Sequence, residues 1–327
     1  MKTTVSNKVS LRYKKIESNI RKKLALKRRV LPDKVGLDEI CQYLVNKHES
    51  ISSSTWRQYR SAILHVYEYN DTNRPYLDIL RRIPGGGKRP QKPLYGAEYK
   101  LKNFPEKMFS GVLNYLRENK TKTADPLRLF LTVGIETGLR PVEWSDAKIV
   151  ENNGKKCLKI RNAKHTNGRA NGEFRHLNLS KTPEGLVRLI EAQVQIFDAM
   201  REQAYVAFQE GRVDDPITEY EREFNVFYSK LRRRLFVVTR KLWPDLQRYP
   251  TLYSLRHQFI ANAKAQGFSL EEIAAMCGHA SSETNAVHYG KKRFGYSGAI
   301  AVSPIPEEVL TVKNASDFLL RNEHLAK

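Results

Sequence analysis

The chain has 327 residues, enough for two domains, and its 57 Lys and Arg residues exceed its 35 acidic residues to give a net charge of +22. This charge favours nucleic acid as a partner, although a basic RNA-binding or ribosome-binding protein without enzymatic activity has the same imbalance. Three cysteines without a C-x-x-C pair argue against a disulfide framework or a zinc ribbon, and no run of 18 apolar residues indicates a membrane span. We therefore expect a cytoplasmic, nucleoid-associated protein that does not contact membranes.

The first third of the chain has two kinds of pattern. Residues 1–30 hold eleven basic side chains and one acid, which favours a basic segment that lies near phosphate or is disordered alone. From 31 to 90, apolar residues recur at helical spacing, and the Ser-Ser-Ser-Thr run at 52–55 is a typical helix N-cap. These residues predict a small helical domain.

A linker is predicted over 84–104, because glycine, proline and basic residues dominate its first half. A larger domain follows over 105–300. Its helices are predicted at 105–118, 124–136, 183–210, 219–241, 252–266 and 269–277, the last with a Ser269 and Glu272 capping box. Between them, 155–163 and 173–179 are β-prone and flank a basic turn, which predicts a β-hairpin. The fold class is therefore mainly α with a small β-sheet (α+β).

The last segment, 301–327, is predicted to be a C-terminal tail. Its apolar residues Phe318, Leu319 and Leu320 form an amphipathic pattern. Such a helix would suit docking on a neighbouring subunit.

Two segments of the larger domain carry cationic side chains suited to a phosphodiester. Arg140 follows Gly138, where a helix is predicted to end, and its guanidinium can donate to two oxygens of one phosphate. An ion pair with Glu143 is the simpler explanation for an isolated arginine. Lys164 lies at the edge of the hairpin, where an ammonium with a lowered pKa can protonate a leaving oxygen, although hairpin lysines are usually just solvated.

Two later segments complete the set. Arg256, within the helical run Tyr253–His257, would be a second phosphate ligand. His279 can donate to a non-bridging oxygen, and Tyr289, ten residues later, can attack phosphorus as a covalent nucleophile. A lone tyrosine is more often an amphipathic packing residue.

These segments, in this order and with His279 placed 23 residues after Arg256, resemble the tyrosine recombinase (phage integrase) family. The resemblance implies an N-terminal helical core-binding domain at 31–90 and a tyrosine-recombinase-like catalytic domain at 105–300. It also implies that the catalytic residues surround one scissile phosphate: Arg140, Lys164, Arg256, His279 and Tyr289. The implied activity is site-specific cleavage and rejoining of DNA strands through a 3′-phosphotyrosine, with no cofactor and no metal.

The resemblance also implies partners. They are double-stranded DNA with paired recombination sites, further copies of the chain in a tetramer on DNA, and an accessory DNA-bending protein. Residues 1–30 are too short and too polar for an additional arm-binding domain, which favours either a simpler integrase that integrates or excises a mobile element or a resolution-type recombinase.

One position departs from the family pattern. The family usually has histidine two residues before the position of Leu255, where this chain has Tyr253. A phenol can donate to a phosphate oxygen but is a poor general base at neutral pH. We expect Tyr253, His257 and Glu143 to be supporting residues, and we interpret the remaining histidines of the larger domain as non-catalytic: His165, His176 and His288.

Other functions stay open at this stage. Tyr253 favours a catalytically impaired DNA-binding regulator of the same fold, which the rest of the residue set argues against. A type IB topoisomerase-like nicking-closing enzyme would share the chemistry without needing a second DNA site.

Overall fold

The computed structural model describes residues 7–68, 71–83, 100–163, 165, 170–283, 290–298 and 300–313. The chain divides into two compact units, Met1–Gly96 and Ala97–Lys327. Three groups of residues discussed above lie outside the described residues: Lys164, the pair His288 and Tyr289, and the tail residues Phe318, Leu319 and Leu320.

The first unit is helical throughout its described part. Its α-helices are α1 (Asn7–Arg28), α2 (Leu37–Lys47), α3 (Ser53–Tyr67) and α4 (Arg74–Arg82). The predicted N-cap is confirmed, since the Ser52 hydroxyl accepts a hydrogen bond from the Thr55 amide at 3.2 Å. The core of this unit is made by Ile20, Ile40, Leu44, Trp56, Ile63, Leu77 and Leu80.

Residues 1–30 are predicted to form a separate basic segment, whereas in the structure α1 belongs to the first unit. Ile16, Ile20 and Leu24 recur every four residues among the lysines and pack into its core. The Tyr67 hydroxyl on α3 also donates to Glu17 at 2.6 Å. The physical reason for the difference is that a narrow apolar stripe is enough to bury one face of a highly charged helix.

The second unit contains seven α-helices among its described residues. They are α5 (Glu106–Glu118), α6 (Ala124–Thr137), α7 (Glu184–Gln209), α8 (Pro216–Leu242), α9 (Ser254–Ala265), α10 (Leu270–Cys277) and α11 (Pro306–Leu310). The predicted capping box of α10 is confirmed, because Ser269 and Glu272 each accept from the other's backbone amide. No helix in the described ranges has the length and apolar character to cross a membrane.

A four-stranded antiparallel sheet covers part of this helical core. Its strands are β2 (Lys148–Asn152), β3 (Lys155–Arg161), β4 (Phe174–Asn178) and β6 (Ser303–Pro304), in the order β2-β3-β4-β6. Leu158, Ile160 and Leu177 are fully buried on one face, and Arg175 pairs with Ile160. A second sheet is formed by β1 (Lys100–Leu101) parallel to β5 (Tyr249–Pro250). The predictions of the hairpin and of a mainly α chain with a small β-sheet are confirmed.

Both ends of the predicted second domain extend further than the sequence suggests. Phe104, inside the predicted linker, is a core residue of the second unit and is fully buried. In the predicted tail, the Glu308 carboxylate accepts from the His176 amide at 3.0 Å and contacts its Nδ1 at 2.7 Å. The Lys313 amide donates to Ala280 at 3.1 Å. Residues 301–313 therefore pack on their own chain.

Replacing Ile20 with alanine is expected to destabilise the first unit by about 2–4 kcal/mol, because Ile20 is 5% exposed and its removal leaves a cavity. Leu26→Ala on the same helix is the matched control, since Leu26 is 82% exposed and such changes usually cost under about 0.5 kcal/mol. Hydrogen exchange of the α3 amides measures both effects. Equal protection in the two variants would contradict the packing of α1.

Candidate active site

The site is built where two helices end at left-handed glycines. Gly138 ends α6 with φ 64°, and a Cβ there would lie 2.3 Å from the Phe259 ring. Gly278 ends α10 with φ 63°, and a Cβ there would lie 2.0 Å from Asn162 Oδ1. Both positions therefore need glycine for backbone conformation and for space. The two turns bring Arg140 and His279 toward the same region.

Arg140 begins the 3₁₀ helix Pro141–Asp146 and is 6% exposed. Its Nη1 donates to Glu143 Oε1 at 2.6 Å, and its backbone amide donates to Glu143 Oε2 at 2.8 Å. Its Nε is buried without a hydrogen-bond partner among the described residues. The ion pair with Glu143 is thus present, yet part of the guanidinium stays available for a further acceptor.

Arg256 lies on α9 and is fully buried. Its Nη1 donates to the Gly138 carbonyl at 2.8 Å, and its Nη2 donates to the Cys277 carbonyl at 2.5 Å. The same Nη2 lies 2.9 Å from His279 Nε2. Since a guanidinium cannot accept, Nε2 is the acceptor, and neutral His279 carries its proton on Nδ1 in this arrangement.

Burial holds the neighbouring Cys277 in its neutral form, because desolvation raises the pKa of its thiol. His279 itself is 2% exposed, and its backbone amide donates to the Ala274 carbonyl at 2.9 Å. The imidazole position is therefore set by the end of α10 as well as by Arg256.

A third arginine, Arg175, joins this site, although it is not among the residues predicted from the sequence. It is 1% exposed, and its Nη2 donates to Glu143 Oε2 at 2.8 Å. The signal was available, since Arg175 and Leu177 alternate along β4 on its inward face, and Leu179, also buried, follows just after the strand. A charged residue at an inward position of a strand needs a buried counter-charge, which Glu143 provides.

The electrostatic balance of the cluster is positive. Burial raises the pKa of Glu143, but the charges of Arg175, Arg256 and Arg140 outweigh it and hold that pKa well below its usual range. Three guanidinium groups against one carboxylate leave two positive charges unbalanced within the cluster (3 − 1 = 2). A buried cluster of this kind is suited to an anion with several oxygen acceptors, such as a phosphate group.

Tyr253 and His257 lie beside the cluster at the start of α9. Their rings pack edge to face with centroids 5.6 Å apart. Burial, with the charges of Lys102 and Arg256, lowers the pKa of His257 to about 4. His257 is therefore uncharged at neutral pH, which suits a supporting residue rather than a phosphate-binding cation.

Two of the five catalytic candidates, Lys164 and Tyr289, lie outside the described residues, whereas their chain neighbours Ala163 and Gly290 are described. The Ala163 amide donates to Glu143 Oε1 at 3.3 Å. Gly290 packs against α9, where a Cβ would lie 2.4 Å from the His257 carbonyl oxygen. The structure brings Arg140, Arg256 and His279 together with Glu143. Within the described residues, no group of three or more His, Cys, Asp or Glu side chains could hold a metal ion.

Comparison with known proteins finds neither a matching protein-family model nor a matching curated protein. Among solved structures, the chain is similar to a XerH site-specific recombinase bound to palindromic difH substrate in a post-cleavage complex. The identity is 14% and the TM-score 0.42, covering 84% of this chain and 73% of that chain. The chain is also similar to XerH bound to difH substrate in a pre-cleavage complex. There the identity is 16% and the TM-score 0.40, and the match covers 79% of this chain and 68% of that chain. For a XerA recombinase the identity is 15% and the TM-score 0.32, and the match covers 88% of this chain and 95% of that chain. At these identities the similarity assigns no role to any residue of this chain.

Replacing Glu143 with glutamine is expected to destabilise the second unit by about 3–5 kcal/mol at pH 7, because it leaves buried arginines without their counter-charge. Glu191→Gln, which removes an exposed ion pair with Lys156, is the control and should cost at most about 1 kcal/mol. Urea unfolding followed by tryptophan fluorescence measures both.

The effect of Glu143→Gln also depends on pH. Since folding lowers the pKa of Glu143, its stabilising contribution is complete above the unfolded value of about 4.3 and declines as the pH falls below it. The difference in the free energy of unfolding between the wild type and Glu143→Gln should therefore become smaller from pH 7 to pH 3. A gap that widened in acid would contradict the lowered pKa.

Proposed function

We propose that this protein is a site-specific DNA recombinase of the tyrosine type, which cleaves and rejoins DNA strands through a 3′-phosphotyrosine on Tyr289. The observation that carries this proposal is the buried cluster of Arg140, Arg256 and His279 around Glu143, with its unbalanced positive charge. Its guanidinium donors suit the oxygens of a phosphate group, and the net charge of +22 fits a polyanionic substrate.

In the proposed reaction the Tyr289 oxygen attacks phosphorus, and the bond between phosphorus and the 5′ oxygen breaks. Lys164 donates a proton to the departing 5′ oxygen, while the phenol proton passes to solvent or to a neighbouring base. The phosphodiester energy is kept in the new phosphotyrosine bond. Attack by a 5′-hydroxyl reverses the step and rejoins a strand, so the exchange balances without an external energy source.

The arginines act on the charge that develops during attack. Arg140 has a buried Nε without a partner among the described residues, so this nitrogen can donate to an entering oxygen without breaking an existing hydrogen bond of its own. Arg256 donates to His279 Nε2 at 2.9 Å, so His279 would donate to a non-bridging oxygen through Nδ1. Donors already in place when charge develops are the main source of electrostatic catalysis.

Strand exchange needs two duplexes, and we propose that four copies assemble on paired DNA sites, with an accessory DNA-bending protein as a further partner. The proposed role is integration or excision of a mobile element, in the cytoplasm at the nucleoid. Because residues 301–313 pack on their own chain, residues 314–327 are the part of the predicted tail left for a contact between copies.

Tyr289→Phe is expected to abolish cleavage and to leave DNA affinity within about twofold, because the change removes only the attacking oxygen. The measurement is sequencing of DNA that stays attached to the protein after denaturing purification from expressing cells. Tyr205→Phe is the control, since Tyr205 lies on α7 and is 54% exposed.

A covalent DNA adduct that persisted in Tyr289→Phe would contradict the assignment of Tyr289 as the nucleophile. DNA binding without any adduct from the wild type would instead favour a non-catalytic regulator. Relaxation of plasmids without recombinant products would favour a topoisomerase-like enzyme, and predominant co-purification of RNA would favour an RNA-binding protein.

Truncation after Lys313 is expected to preserve DNA binding and single-strand cleavage but to reduce assembly of four copies on DNA at least tenfold. The cut removes Phe318, Leu319 and Leu320 while keeping β6 and α11. Gel filtration and native gels of the DNA complex measure assembly. Unchanged assembly would count against a role of the tail between copies.

A further inference from the structure

Arg175 shares Glu143 with the two arginines proposed to contact phosphate, and all three of its nitrogens are occupied. Nε donates to the Met276 carbonyl at 2.8 Å, Nη1 donates to Asn162 Oδ1, and Nη2 donates to Glu143 Oε2 at 2.8 Å. Arg175 is 1% exposed. Because each of its nitrogens already donates to a protein acceptor, we expect Arg175 to act through those partners.

The first partner, Glu143, sets the position of the Arg140 side chain. Its Oε1 accepts from Arg140 Nη1 at 2.6 Å, and its Oε2 accepts from the Arg140 amide at 2.8 Å. The same Oε2 lies 3.6 Å from Arg256 Nη1. Because Arg175 Nη2 donates to the same Oε2 at 2.8 Å, displacement of Arg175 would shift the carboxylate and with it both arginines.

The other two partners connect the hairpin with the end of α10. Asn162, the residue after β3, donates from Nδ2 to the carbonyls of Asn171 and Gly172 at 3.0 and 3.1 Å, which closes the base of the hairpin turn. Met276 lies in the last turn of α10, three residues before His279. One guanidinium therefore spans the base of the hairpin, the Glu143 carboxylate and the helix end that precedes His279.

We propose that Arg175 is a positioning residue that holds Arg140, Arg256 and His279 in a phosphate-binding arrangement through Glu143, Asn162 and the Met276 carbonyl. This inference rests on the proposed DNA cleavage for its catalytic consequence. Lysine cannot replace Arg175 in this role, because one ammonium on a flexible stem does not present a planar fork to three separate acceptors.

The first test measures anion binding without DNA. Potassium phosphate, compared with chloride at equal ionic strength, is expected to raise the melting temperature of the wild type by a few degrees, as for a ligand that binds only the folded state. Arg175→Lys and Arg140→Lys are each expected to lose at least half of this phosphate-specific rise. Arg188→Lys is the control, because Arg188 forms an exposed ion pair with Glu184 on α7.

The second test measures cleavage of the DNA site recovered from the wild-type adduct. At saturating DNA and well below its melting temperature, Arg175→Lys is expected to cleave about 10 to 100 times more slowly, because small displacements of catalytic groups have effects of this size. The DNA concentration for half-maximal rate should stay within about twofold. A merely structural role would lower the melting temperature and leave the saturated rate of the folded protein unchanged.

If Arg175→Lys fails to fold, Asn162→Ala decides the question, since it removes one of the three partners and is expected to slow cleavage in the same direction. Wild-type cleavage rates and a full phosphate-specific rise in the folded variant would overturn the positioning role. The two proposals can also fail separately. Absence of a Tyr289-dependent adduct from the wild type would contradict the proposed reaction. Loss of the phosphate-specific rise in melting temperature in Arg175→Lys, but not in Arg188→Lys, would still support the positioning role.

Discussion

The carboxylate of Glu143 is the interaction on which the site depends. It receives Arg140 and Arg175 directly, lies 3.6 Å from Arg256, and accepts the Ala163 amide at the hairpin. Three parts of the second unit, namely the turn after α6, the β3–β4 hairpin and α9, therefore converge on one buried group. Removing it would leave cations in a desolvated interior, which costs far more than loss of a surface ion pair. The same contacts that stabilise the unit thus also orient the groups proposed to bind phosphate.

Glycine makes this convergence possible at both helix ends. After Gly138 the carbonyl turns toward Arg256, and after Gly278 the chain turns so that the His279 imidazole meets the same guanidinium. Either turn built with a side chain would collide with Phe259 or Asn162. At Gly138 and Gly278, the same residue therefore satisfies three requirements. It adopts the left-handed backbone conformation, it leaves space for the packed neighbour, and it lets the chain place the charged groups.

Much of the helical framework could be predicted from sequence, because long periodic segments and caps are local signals. The ends of α7 differ from the predicted 183–210 by one residue each, and Ser52 and Ser269 cap the helices they were expected to cap. The strand β2 was missed, although its turn at Asn153 and Gly154, both with positive φ, is the Asn-Gly signal of a tight hairpin. The two-residue strands β1, β5 and β6 could not be found, since nothing local distinguishes them and distant pairing alone defines them.

Motif spacing selected Arg140, Arg256 and His279, but it could not show that Arg175 completes their surroundings, because that contact joins a strand to a helix far along the chain.

The charge of this cluster has a consequence for the proposed reaction. A phosphodiester carries one negative charge, whereas the five-coordinate species formed by attack of a phenolate carries two. The cluster has two unbalanced positive charges, so it matches the second state more closely than the first. In the proposed reaction, a site with this balance would stabilise the transition state more than the bound substrate, which is the condition for catalysis rather than for tight binding alone.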